Sequence, residues 1–221
     1  TDSWADFSNG LKITQFYKIA QSATNAQVIM GGTQDNGGRI RDNTGTWRAV
    51  NGGDAMEVAI DPTNDNVIYT TYTYGTLYRS LDGWVNDTYN EISDNIPGGT
   101  PPGSWVNPYM LDPSDHNTIV AGYDDVWRST DRGDNWTALS SNITGTGSTL
   151  NCLYVAPSDP NTIYVSWDDN LMKTNDMGNT WTTVAVTGTA AITSIMVHPY
   201  NRDVLWITRG GYTGGMKVYH S

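Results

Sequence analysis

Apolar residues along this chain come in short runs rather than in long periodic stretches, as at residues 57–60, 67–71, 162–166 and 194–197. Val, Ile, Thr, Tyr and Trp dominate these runs, and Gly, Asn, Asp and Pro fill the gaps, which is the composition of short strands joined by turns. A third kind of run, at 76–80 and 126–129, alternates polar and apolar side chains, as a half-buried strand does. No stretch keeps an apolar period near 3.6, so the pattern predicts an all-β protein without long helices.

The strands recur in units. Trp4, Trp47, Tyr89, Trp136 and Trp181 are 43, 42, 47 and 45 residues apart, and the step from Trp181 through Ser221 back to Trp4 is 44. A second ladder, Ile29, Ile68, Ile119, Ile163 and Leu205, also counts five units. Four of these apolar landmarks follow a shared phrase: Asp61-Pro62, Asp112-Pro113, Ala156-Pro157 and His198-Pro199, each followed by Asn or Asp. Proline fixes φ and lacks an N–H, and Asn and Asp tolerate turn conformations, so each phrase ends one strand and begins a tight connection. Each unit reads as four strands, the last starting at the aromatic marker. Equal units of four short strands predict a β-propeller, with blades near 11–50, 54–93, 104–140, 149–186 and 191–221, the last completed by 1–9. Pairing of the two chain ends would close a ring of five; the alternative is a portion of a larger propeller.

Ser129, Asp131, Gly133 and Trp136 form the pattern Ser-x-Asp-x-Gly-x-x-Trp, and Thr174, Asp176, Gly178 and Trp181 repeat it with Thr for Ser. Asp42, Gly45 and Trp47 look like a degenerate copy, and Ser80, Asp82 and Gly83 before Tyr89 like a disrupted one. The carboxylate and hydroxyl can tie the turn between third and fourth strands, glycine gives backbone freedom, and the indole can pack between blades. These residues are read as structural. With the phrase Gly31-Gly-Thr-Gln34-Asp35-Asn36-Gly37, the whole chain resembles the Asp-box (BNR, sortilin-like) propellers of secreted bacterial glycosyl-hydrolase-like proteins, of the kind Bacteroidetes export by the type IX system. The resemblance implies an extracellular or cell-surface bacterial protein. It implies little about activity, because Asp-box propellers include sialidases, xyloglucanase-like hydrolases, receptors and modules without chemistry.

Composition narrows the partners. The 12 Lys and Arg against 23 Asp and Glu, a net charge of −11, leave no clustered cations for a nucleic-acid backbone. Nine Trp and 13 Tyr against two Phe, with 16% charged residues, describe a polar surface over an aromatic-rich core. Cys152, the lone cysteine, sits in an apolar run and reads as a buried, inert thiol. No membrane span is read, and an opening within a blade is expected to mean a trimmed or processed piece of a longer parent chain with other domains.

Candidate site residues come from the loops expected at one end of the central channel. They are Gln34, Asp35, Asn36, Tyr74, Trp105, Tyr109, Tyr123, Asp124, Trp167, Asp168, Arg209 and Tyr212, beside Tyr17. Aromatic faces can stack on sugar rings while amides and carboxylates bind hydroxyls. The Asp and Asn pairs among them serve equally as hairpin turns. A glycoside hydrolase needs two carboxyls flanking the sugar, and Asp35, Asp54 and Glu57 are the candidates. A sialidase needs converging arginines, and only Arg209 is placed for that role. His116, His198 and His220 lack ligand spacing, the acidic turns at 61–66 and 112–117 lack the full calcium pattern, and no cofactor motif occurs, so neither metal nor cofactor is expected. The reading is a non-catalytic module that recognises glycan or protein; the alternatives are a polysaccharide hydrolase and a structural subunit of a surface assembly.

Overall fold

The short β-branched and aromatic runs form 19 strands in the computed structural model, which describes residues 5, 9, 13–145, 147–212 and 215–221. The first blade contains β1 (Phe16–Gln21), β2 (Ile29–Thr33), β3 (Gly38–Arg41) and β4 (Trp47–Ala49). The second contains β5 (Val58–Asp61), β6 (Asn64–Thr71), β7 (Leu77–Ser80) and β8 (Asn90–Glu91). The third contains β9 (Tyr109–Leu111), β10 (Ile119–Gly122), β11 (Val126–Ser129) and β12 (Thr137–Ala138). The fourth contains β13 (Cys152–Val155), β14 (Ile163–Trp167), β15 (Asn170–Thr174) and β16 (Thr182–Thr183). The fifth holds β17 (Ile192–His198), β18 (Asn201–Arg209) and β19 (Val218–His220). Every blade is an antiparallel sheet whose strands pair in chain order. Trp4 and residues 6–8, on which the expected closing strand of the fifth blade rests, lie outside the described residues.

The first strands of four blades, with Glu57 just before β5 of the second, line one central channel, contributing among others Lys18, Met110, Cys152 and Met196. Between consecutive blades lie separate apolar cores. Met30 and Ile40 of the first blade meet Ile60 and Ile68 of the second, and Tyr69 and Leu77 of the second meet Leu111 and Ile119 of the third. Val120 and Val126 of the third meet Val155 and Ile163 of the fourth; Tyr164 and Leu171 of the fourth meet Val197 and Leu205 of the fifth. Fully burying each such side chain contributes about 1.5–3 kcal/mol, so these four seams hold the blades together. The sheets, their order and the shared channel are those of a β-propeller.

At one end of the channel axis the turns between third and fourth strands tie themselves. Ser129 Oγ accepts the Gly133 N–H at 2.7 Å and donates to Asp131 Oδ1 at 2.8 Å, and Asp131 accepts the Asn135 N–H at 2.8 Å. Thr174, Gly178 and Asp176 repeat these bonds at 2.9 and 2.7 Å, with the Thr180 N–H on Asp176 at 2.8 Å. The glycines have φ of +94° and +87°, which side chains oppose. Each indole reaches back to the preceding blade: Trp136 Nε1 donates to the Ile92 carbonyl at 2.8 Å, and Trp181 Nε1 to the Leu139 carbonyl at 2.9 Å.

The weaker copies depart from this plan. In the second blade it is Trp84, not Gly83, that takes the glycine place, with φ +62° and its N–H on Ser80 Oγ at 2.9 Å. Trp84 is therefore the buried indole, and Tyr89 stacks on its outer face at 4.5 Å, half exposed. Trp47 is also half exposed, so neither marker packs between blades as the spacing predicts. The intervening segment is longer in the second blade than in the regular turns, which swings its terminal aromatic outward.

Candidate functional site

The opposite end of the channel is built from longer, less regular connections. The β2–β3 connection presents Gln34, Asp35 and Asn36, all exposed. Asp35 has φ +61°, and its N–H donates to Asp54 Oδ1 at 2.7 Å; Asn51 Nδ2 in turn donates to the Asp54 carbonyl. The Asp54 carboxylate thereby ties the β2–β3 connection to the β4–β5 connection. The β6–β7 connection turns at Tyr74, whose φ of +59° holds the ring out into solvent. Trp105, on the connection between β8 and β9, meets Tyr74 edge to face at 5.3 Å.

Three elements converge there. Trp105 Nε1 donates to Tyr17 Oη at 3.3 Å, and Tyr17 donates to Gln34 Oε1 at 2.9 Å. The second and third blades are thus linked to the first across the channel mouth, with Tyr74 and Trp105 still 59% and 41% exposed. Aromatic rings held rigidly by hydrogen bonds and strained backbone, yet left open to water, are suited to stacking on an apolar ligand face. Beside Trp105 lies a polar hollow of about 290 Å³ lined by Ser104, Ser148, Thr149, Asn151 and Asp168. Ser104 Oγ is fixed there by Thr149 Oγ1 at 2.8 Å and by the Leu150 carbonyl.

Below the mouth, the channel forms a cavity of about 490 Å³. Glu57 lines it and pairs with Lys18 Nζ at 3.4 Å, with 20% of the glutamate side chain exposed. Burial pushes the Glu57 carboxyl above its ordinary value, and Lys18 only partly opposes this. Cys152 also lines the cavity, and burial raises its thiol, so it carries no reactive thiolate at neutral pH. Tyr109 is buried with its hydroxyl unpartnered, and burial raises that group well above the tyrosine range.

Several sequence candidates sit elsewhere than expected. Tyr123 is fully buried between the second and third blades and donates to the Gly75 carbonyl at 2.8 Å, so it is a structural bolt. Arg209 is buried, hydrogen-bonded to the Ala190 carbonyl and set over the Tyr219 ring at 5.8 Å; no free guanidinium reaches the mouth from it. Trp167 packs half-buried against the core between the third and fourth blades. Asp124 is half-buried, and burial followed by the neighbouring Asp125 raises its carboxyl. Asp125 itself accepts from Ser140 Oγ and from the N–H groups of Asn142 and Ile143, so its carboxylate ties the segment after β12 to the β10–β11 connection and is not spent on its own hairpin turn. Tyr212 is fully exposed. The structure therefore brings together Tyr17, Gln34, Tyr74 and Trp105. Lys18, Ser104, Thr149 and Asn151 escape sequence reasoning, because Ser, Thr and Asn are common in any turn and only Lys18, a cation within a first strand, carries a signal.

No protein-family model matches the sequence, and no curated protein matches it. Solved structures do. An ancestral GH74 enzyme superposes with a TM-score of 0.67 at 18% identity over 94% of this chain and 31% of that one. The GH74 xyloglucanase from Xanthomonas campestris gives 0.65 at 16% identity, over 86% and 36%. A chain of the mitotic checkpoint complex gives 0.63 at 14% identity, over 93% and 59%. This chain spans about a third of the length of the two enzymes, and at these identities the likeness is one of fold: the protein is built as a β-propeller.

Proposed function

We propose that this chain is a non-catalytic glycan-recognition module that acts outside the bacterial cell, as part of a larger protein. The observation that supports it most is the solvent-open pair of Tyr74 and Trp105, anchored on half-buried Tyr17, with Gln34 beside it and the polar hollow next door. Rings stack on the C–H face of a pyranose, and the amide, hydroxyls and Asp168 exchange hydrogen bonds with its hydroxyl groups. The GH74 propellers act in glycan chemistry by their names, which agrees with that ligand class. Lys18 is paired with Glu57, and Asp35 and Asp168 are acidic, so neutral sugars suit the mouth better than acidic ones.

A second reading, hydrolysis, is favoured by one observation: the raised carboxyl of Glu57 in the channel, which suits a general acid. A panel of soluble polysaccharides, assayed for binding by calorimetry and for cleavage by reducing-end release, separates the two. Binding without release is expected. Release that disappears in Glu57→Gln or Asp35→Asn overturns the non-catalytic reading, and the absence of any glycan binding overturns the ligand class.

A further inference from the structure

One register governs every seam between blades. On the side of each blade that faces its predecessor, pairing places Val58, Tyr109, Leu153 and Ile195 at the same position, and they are 6–9% exposed. In the first blade that position belongs to Ile19, which is 65% exposed. On the opposite side of each blade, Met30, Tyr69, Val120 and Tyr164 are equivalent and at most 1% exposed. In the fifth blade the residue there is Trp206, half-buried between His198 and His220 instead of against a neighbouring sheet. Its cross-strand neighbour Met196 is 56% exposed.

Two complementary halves of a seam are thus open at once. We propose that the Ile19 face of the first blade and the Trp206 face of the fifth are inter-blade interfaces whose occupant is at least one further four-stranded blade of the same repeat, carried on the same polypeptide. Continuity with the four formed seams supports this, since the open faces repeat their residue positions. A ring of five closed on itself buries the Ile19 face against the Trp206 face, contrary to the exposure of Ile19 and Met196. A fourth strand added beyond β19 extends that sheet sideways and leaves the Trp206 face as it is. A second copy joined front to rear makes a heterologous contact that leaves the outermost faces open again.

Methionine oxidation by peroxide, followed by mass spectrometry, tests the occupant, because thioether reactivity follows exposure. In the 221-residue chain, shown monomeric by sedimentation, Met196 is expected to oxidise nearly as fast as exposed Met216 and far faster than buried Met30. Fusing a copy of residues 149–186 after Ser221 is expected to slow Met196 at least about tenfold. Protection already present in the monomer means a self-closed ring, and protection that appears only on self-association means a second copy; either overturns the proposal, as does a fused blade that leaves Met196 reactive or does not dock. Independently, Ile19→Lys and Met196→Lys in the 221-residue chain are expected to leave the melting temperature within about 2 °C, as surface changes do, and Ile195→Lys to lower it severely. Equal damage from all three overturns the open-face assignment.

Discussion

The two ends of the channel are made of the same residue types put to opposite uses. At the end with the Ser129 and Thr174 turns, every carboxylate and hydroxyl of the motif is satisfied within its own turn, and the indoles are tied to the preceding blade. At the other end, Tyr74 and Trp105 are held by strained backbone and by a bond to half-buried Tyr17 but keep their faces in water. Internal satisfaction marks structure, and a rigid group left unsatisfied marks a place for a ligand. The repeated motif is therefore the wrong place to look for function, and the irregular loops are the right one.

The sharpest way to break this contrast is to remove an aromatic from each end. Trp136→Ala empties a core site and frees the Ile92 carbonyl; it is expected to cost about 3–5 kcal/mol, about 10 °C or more in Tm, read by calorimetric unfolding, without a specific change in sugar affinity once folded. Trp105→Ala is expected to do the reverse: a fall of about tenfold to thirtyfold in glycan affinity by titration calorimetry, with Tm within about 2 °C of the parent. If both variants lose stability equally, the two ends do not differ as described. Gln34→Ala, which leaves Tyr17 without its acceptor, is expected to weaken binding about fivefold, in line with one hydrogen bond.

The smallest effect concerns pH. The folded-state carboxyl of Glu57 is raised, so its contribution to stability is present below the unfolded value and is lost as pH rises through the folded one. Asp176, lowered chiefly by the Thr180 hydroxyl and backbone, behaves oppositely, contributing above its unfolded value and losing that as pH falls. Relative to the parent, Glu57→Gln is therefore expected to melt about 1–2 °C higher at pH 7 than it does at pH 4. A difference of the opposite sign would place the glutamate in a well-solvated or strongly paired setting.

Trp84 shows where sequence legibility ends in the fold. The serine and aspartate of its turn are readable, but the long segment before Tyr89 lets a tryptophan adopt the left-handed conformation that glycine holds in its sister turns, and no spacing rule anticipates that exchange. In the site, Gln34, Tyr74 and Trp105 were readable as polar and aromatic loop residues, whereas Tyr123 and Arg209 looked identical by that criterion and turned out to be buried. A loop residue's type does not say whether the next blade covers it.

The sequence by itself determined the strands, their grouping into repeats and the self-tied turns, because these depend on backbone preference and on hydrogen bonds between residues only a few positions apart. Only the tertiary structure decided which aromatics face water, that Lys18 meets Glu57, and that the faces of Ile19 and Trp206 stay open. Those outcomes depend on how whole sheets stack about an axis, and burial at a given position is set by a neighbour that lies some forty residues away in the chain.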